Sequence, residues 1–306
     1  MKSNLRSLPK FRDGLSFVYL EHAVVEREEN SLVVFRASGR ICLPVASIGC
    51  LLLGPGTRLT HAAMVVLADA GCTVAWVGQS GIKFYAGGTG KSRSSRNLEA
   101  QARAFADPIR HMAVVRRLYG RRFTEPLPPN LTLQQIRGRE GVRVRDAYAA
   151  AARKFGVHWT GRSYKQSDWA SADPVNKALS AGNACLYGIC HAALLATGFS
   201  TGLGFIHVGR QLSFVYDVAD LYKVEIVIPA AFEVAITSSK PESDVRRIVR
   251  QMIIETKLLS RMVIDLSWLF ELEDLEGVQF DRDGPGELWD IGLNVSGGES
   301  HAGDAD

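Results

Sequence analysis

The sequence predicts an α+β chain: a small β-sandwich-like N-terminal domain followed by a larger all-α domain. Three observations point there. Short β-branched and aromatic runs dominate residues 1–86, a glycine- and serine-rich basic segment occupies 87–96, and helical periodicity broken by Pro and Gly follows. With 306 residues the chain can form one large or two ordinary domains, each burying a core.

Strands are predicted at Leu15–Leu20, His22–Arg27, Ser31–Arg36, Arg40–Val45, Ile48–Leu53, Thr73–Val77 and Ile82–Ala86. Glu29-Asn30 and Ser38-Gly39 supply turn residues between them. One helix, Thr60–Ala70, interrupts the strands; Thr60 can cap its start and Gly71 its end. Gly87-Gly-Thr-Gly-Lys-Ser-Arg-Ser-Ser95 reads as a flexible basic linker. The helical domain, residues 97–277, breaks near 107–108, 126–129, 156–161 and 198–204, where Pro and Gly gather. Helices are expected over Ser171–Thr197, Tyr216–Lys223, Pro229–Thr237 and Glu242–Phe270. Residues 278–306 form an acidic tail expected to be disordered.

The formal net charge of +4 hides an uneven distribution. Residues 91–154 carry 15 basic and 5 acidic side chains, whereas 271–306 carry 1 and 11. The basic segment suits a phosphate backbone, although an Arg-rich solvated helix has the same composition. The tail suits a solvating segment, or a mimic that competes for the basic face. Five cysteines without a Cys-x-x-Cys pair argue against structural zinc and for a reducing cytoplasm. Met1–Lys10 has no apolar core of a signal peptide. The 32 residues Ala178–Gly209 carry no Asp, Glu, Lys or Arg, but Asn183, His191 and several glycines favour a buried helix and a turn over a membrane span. The expectation is a soluble cytoplasmic protein. Gly87–Ser92 imitates a P-loop, yet Tyr85 stands where that loop needs its first glycine, which excludes nucleotide hydrolysis there.

Two segments carry candidate chemistry. In Gly204–Lys223, Asp217, Asp220 and Lys223 recur every third residue, so a helix over Phe214–Lys223 puts them on one face. His207 lies just upstream, beyond a predicted turn at Gly209. An imidazole with carboxylates on an apolar background suits a hard divalent cation; two Asp at i, i+3 also mark many solvated faces. In Gln134–Arg145, Glu140 is surrounded by Arg137, Arg139, Arg143 and Arg145. Either the arginines simply neutralise it on a solvated helix, or Glu140 faces a metal while they grip phosphates.

Together, Arg137-Gly-x-Glu-Gly-x-Arg143 and His207-x-Gly…Leu212-Ser-Phe-Val-Tyr-Asp-x-Ala-Asp220 resemble the CRISPR-associated integrase family, the first-numbered Cas protein, in its type I-E form. Gly54-Pro-Gly-Thr-Arg58, Thr73–Gly78, Tyr164–Trp169 and Cys185-Leu-Tyr-Gly188 extend the resemblance over nearly the whole chain, except the extreme N-terminus and roughly the last 30 residues.

The resemblance implies a β-sandwich followed by a helical catalytic domain, with Glu140, His207 and Asp220 holding Mg²⁺ or Mn²⁺ and Asp217 supporting them. It implies transesterification, in which the 3′-hydroxyl of a short DNA fragment attacks a phosphodiester at a CRISPR repeat edge. Arg58, Lys91, Tyr164, Trp169, Tyr187 and Lys223 are further candidate DNA contacts beside the four arginines. His22 stands where relatives can carry an aromatic wedge. A homodimer through Ser31–Arg36 and Ile48–Leu53 is expected, because those apolar strands need cover. By the resemblance, two such dimers would flank a central dimer of a small ferredoxin-like adaptation subunit in a heterohexamer. A non-catalytic DNA-binding architectural protein would need only the basic segment, and a small-substrate phosphodiesterase only the acidic cluster.

Overall fold

The computed structural model describes residues 16–29, 31–45, 48–79, 84–88, 95–162 and 173–272. Among the described residues, eight strands form two four-stranded sheets, with one helix among them, and seven further helices form a helical domain. Strand β1 (Ser16–Leu20) pairs in parallel with β5 (Ile48–Leu53), and β5 with β7 (Thr73–Val77). Antiparallel β8 (Phe84–Gly88) closes that sheet. The second sheet runs β4 (Gly39–Leu43), β3 (Ser31–Arg36), β2 (Val24–Glu28), β6 (Arg58–Leu59). Helix α1 (His61–Asp69) carries the chain toward β7, and Thr60 Oγ1 accepts its Ala63 amide, the cap expected from the sequence.

The sheets share a core of Leu20, Val25, Leu32, Val34, Leu51, Leu53, Leu67 and Val74. Every residue of β5 is buried, as a strand covered on both faces requires. Leu51 and Leu53 face that core, while Cys50 and Leu52 join Ala75, Val77, Ala192 and Ala196 in a second cluster against the helices. Both apolar strands thus find cover within the chain, so their own burial gives no argument for a second copy. On the second sheet, Phe35 and Ile41 are the large apolar side chains left exposed among the described residues.

The helical part comprises α2 (Arg96–Ala106), α3 (Pro108–Gly120), α4 (Leu133–Phe155), α5 (Pro174–Ala196), α6 (Ser213–Thr237), α7 (Pro241–Glu255) and α8 (Leu258–Leu269). Asp107 caps α3 by accepting from Ile109 and Arg110, and those amides hold its carboxyl below the usual range. Thr132 and Gln135 form a reciprocal capping box at the start of α4. Helix α5 is long and apolar enough to cross a membrane, but it is mostly buried against α6 and α7 as a core helix. Gly182 permits that packing: a Cβ there would stand 2.9 Å from Val227 Cγ1.

Several elements differ from expectation: the sequence does not mark β6, and β8 runs through Gly87 and Gly88 of the predicted linker, where both pair with β7. Helix α6 runs unbroken through Pro229, because its flanking Ile226, Val227, Ile228, Ala230 and Ala231 are buried and tertiary packing outweighs the lost amide. The segment Glu242–Phe270 is two helices, parted at Lys257 in a left-handed conformation (φ 48°) that no Gly or Pro announces. The second strand begins at Val24, since His22 adopts φ 49° and its amide bonds Pro55 O at 2.9 Å.

Candidate active site

Helix α6 carries Asp217 and Asp220, α4 carries Glu140, and the loop between α5 and α6 carries His207. The loop forms around Asp217. That carboxylate is fully buried and accepts the Phe205 and Ile206 amides on Oδ2, at 2.6 and 3.0 Å. Its Oδ1 accepts the His207 amide at 2.9 Å and His207 Nδ1 at 2.7 Å. Four donors on one carboxylate fix both the turn and the imidazole. Gly204 makes the turn possible: a Cβ would meet His207 O at 2.2 Å and Ser213 Cβ at 2.6 Å. With Nδ1 on Asp217, Nε2 is the imidazole nitrogen left for a ligand. The Asp217 hydrogen bond raises the His207 pKa against its partial burial; Asp220 adds to the rise and Arg122 opposes it.

Glu140 is held by charge. Arg143, one turn on, donates Nε to Oε2 at 2.8 Å and Nη2 to Oε1 at 3.0 Å. Arg122, just beyond α3, adds Nη1 to Oε1 at 3.2 Å. The same Nη1 lies 3.7 Å from Asp220 Oδ2, so one cationic nitrogen joins the α4 and α6 carboxylates. Lys223 pairs with the other oxygen of Asp220 and lies over the Tyr187 ring. Burial opposes the Lys223 charge, but Asp220 and Tyr187 more than offset it, and its pKa rises.

Arg122 is the residue that sequence reasoning missed. Its side chain is 4% exposed, and Nε and Nη2 are buried without a hydrogen-bond partner. Within a run of arginines nothing local distinguishes it. Its neighbour Arg121 fastens the same turn to α8 through Asp265, which also accepts from Tyr222 Oη at 2.7 Å.

Among the described residues no three His, Cys, Asp or Glu side chains lie close enough together to hold a metal ion. Glu140 and Asp220 meet instead through Arg122, and His207 feels the charges of Asp220 and Arg122. The donor chemistry fits a hard divalent cation: two carboxylate oxygens already share one positive charge, beside an imidazole anchored by a buried carboxylate.

The candidate DNA contacts divide. Arg137, Arg139 and Arg145 are exposed on α4, and Arg58 is exposed on β6. Arg143 is committed to Glu140 and lies over the Phe123 ring, the neutralising arrangement that competed with a phosphate cradle. Tyr187 is half-buried, edge-on to Tyr216. Lys91, Tyr164 and Trp169 lie outside the described residues, as do the tail and most of the predicted linker.

The family model described as CRISPR associated protein Cas1 matches residues 121–263, the span from Arg121 into α8. The chain is 54% identical to the CRISPR-associated endonuclease Cas1 2 of Thermus thermophilus, over 98% of this chain and 94% of that one. It is 42% identical to the CRISPR-associated endonuclease Cas1 of Clostridium sp., over 92% and 94%. A crystal structure of a TtCas1–DNA complex, 55% identical, superposes with TM-score 0.79 over 87% of this chain and all of that one. On full-length identity, shared fold and the matched helical domain, this chain belongs to the Cas1 family of CRISPR-associated proteins.

Proposed function

We propose that the protein is a type I-E, Mg²⁺- or Mn²⁺-dependent DNA endonuclease and integrase that joins the 3′-hydroxyl ends of short fragments into a CRISPR repeat. The observation that carries the reading is that Glu140 and Asp220, on separate helices, converge on one positive charge while Asp217 fixes His207 beside them. Endonuclease relatives and a DNA-bound structure of a similar protein support it.

Glu140, His207 through Nε2, and Asp220 would hold the metal. When bound, it supplies charge neutralisation at the phosphate and makes the attacking hydroxyl more nucleophilic. Asp217 keeps Nδ1 protonated and Nε2 directed to ligation. The exposed Arg137, Arg139 and Arg145 bind duplex phosphates without reading bases. Lys223 and Tyr187 stand beside Asp220 to receive the strand end. The fragment's 3′-oxygen forms a new P–O bond as the repeat's P–O bond breaks, and the leaving 3′-oxygen takes the proton. Water in place of the fragment end gives hydrolysis.

Joining both fragment ends needs two sites, so the working form is a homodimer built on the sheet that exposes Phe35 and Ile41. Two such dimers flank a central dimer of a small ferredoxin-like adaptation subunit in a heterohexamer. Light scattering should give about twice the monomer mass, then the hexamer with the partner. A monomer that completes paired integration would overturn this assembly.

The central test is strand joining by Glu140→Ala, His207→Ala and Asp220→Ala. Each should abolish joining in Mg²⁺ and leave DNA affinity largely intact. If all three join DNA normally, the neutralised carboxylates are structural and a non-catalytic DNA-binding role stands in its place.

A further inference from the structure

Arg122 occupies the place where the two carboxylate walls meet, and its chemistry there is unusual. A guanidinium cannot shed its charge at any physiological pH, and it offers five N–H donors in a rigid fork. Here a single nitrogen, Nη1, makes both carboxylate contacts, to Oε1 of Glu140 and Oδ2 of Asp220. Nε and Nη2 are buried without partners, and the guanidinium also lies 5.0 Å from the Tyr119 ring centroid. A side chain nine-tenths buried with most of its donors unsatisfied is poorly placed for stability. It is well placed to neutralise two acids that would otherwise repel. The remaining oxygens have other cations: Arg143 holds Oε2 of Glu140 and Lys223 holds Oδ1 of Asp220.

We infer that Arg122 is a built-in competitor for the divalent cation, holding Glu140 and Asp220 together without metal and withdrawing Nη1 when metal binds. This rests on the metal reading of the site. The contested oxygens are Oε1 of Glu140 and Oδ2 of Asp220. A divalent ion must gain enough from these carboxylates to displace the guanidinium, so Arg122 weakens metal binding and sets the concentration at which the site loads. The α3–α4 turn, fastened through Arg121 to Asp265, keeps the competitor in reach. Arg122 acts through its neighbours and is a positioning residue.

The test is Mn²⁺ titration, read by the loss of the free-ion electron paramagnetic resonance signal, on chelator-treated full-length protein. Wild type, Arg122→Gln, Arg122→Lys and the double variant Glu140→Ala/Asp220→Ala are compared, with folding checked by circular dichroism. Arg122→Gln should bind Mn²⁺ about tenfold more tightly, the scale of one removed charge a few ångströms away in a partly screened site. Arg122→Lys keeps the charge but cannot span both acids, and its affinity should fall between the two. If the glutamine variant does not fold, the lysine variant alone decides. Affinity equal to or weaker than wild type in the folded variants overturns the competition while leaving the metal site standing. Absence of binding in every protein, or binding that survives Glu140→Ala/Asp220→Ala, overturns the site itself and the competition with it.

Discussion

The two walls of the candidate site are built by opposite means. On the α6 side, Asp217 is fully buried and is stabilised by three backbone amides and an imidazole, donors delivered by one short loop. On the α4 side, Glu140 is held by two guanidinium groups, one from its own helix and one from the α3–α4 turn. Backbone donors cannot leave, so the first wall is preorganised. Charged side chains can exchange partners, so the second is adjustable. The difference locates rigidity where a ring must be aimed and adaptability where a charge must be traded.

Substitutions at Asp217 and Glu140 should therefore fail differently. Asp217→Asn turns acceptors of four hydrogen bonds into a mixed group and strands at least one buried donor, at a cost of about 3 kcal/mol in urea unfolding. Glu140→Gln should cost less, about 1–2 kcal/mol, because Arg143 can turn to solvent and the amide oxygen still accepts from the buried Arg122. Joining is lost in both. Equal stability losses would erase the contrast between the walls.

Gly204→Ala tests the loop without touching any charge. The added methyl meets backbone at 2.2 Å, so the turn must open, at about 2–3 kcal/mol. His207 should then lose its Asp217 partner, visible as a fall of its imidazole pKa by nuclear magnetic resonance. A variant with wild-type stability and an unmoved His207 signal would show that the loop does not need the glycine.

The pH dependence follows from His207. Its pKa is raised in the folded protein, first by the Asp217 hydrogen bond. The contribution of that hydrogen bond to stability is fully present below the unfolded value near 6.5 and fades as pH rises through the higher folded value. Metal ligation requires the opposite, neutral form, so Mn²⁺ affinity should climb through a midpoint above about 6.5. Asp217→Asn should move that midpoint downward, and an unmoved midpoint would detach His207 from it.

The smallest effect separates the arginines. Replacing exposed Arg137, Arg139 and Arg145 by Ala should flatten the slope of log affinity against log salt on duplex DNA by about 0.9 for each phosphate no longer neutralised. Arg143→Ala should leave the slope unchanged, since its fork is spent on Glu140.

What the sequence shows and hides follows from the range of the forces involved. The i, i+3 spacing of Asp217, Asp220 and Lys223 is a local pattern, and α6 presents it as a continuous helix. Alternating apolar runs mark the strands from Ser31 to Leu53 and β7, but not the two-residue β6, which exists only through its pairing with Val24 and Val25. Pro229 and Lys257 mislead because packing, not propensity, decides both. The buried state of Asp217 is unreadable, since its donors come from amides that look the same in every residue. Arg122 is hidden for a related reason: only the crossing of α3, α4 and α6 distinguishes it from the arginines around it.

Whether a cation joins Glu140, His207 and Asp220 is tested most directly by anomalous scattering from crystals soaked in Mn²⁺. One peak is predicted between the two carboxylates, ligated by His207 Nε2, with Arg122 Nη1 withdrawn and Asp217 still accepting from Phe205, Ile206 and His207. No peak at full soaking, or a peak that none of the three side chains touches, would contradict it.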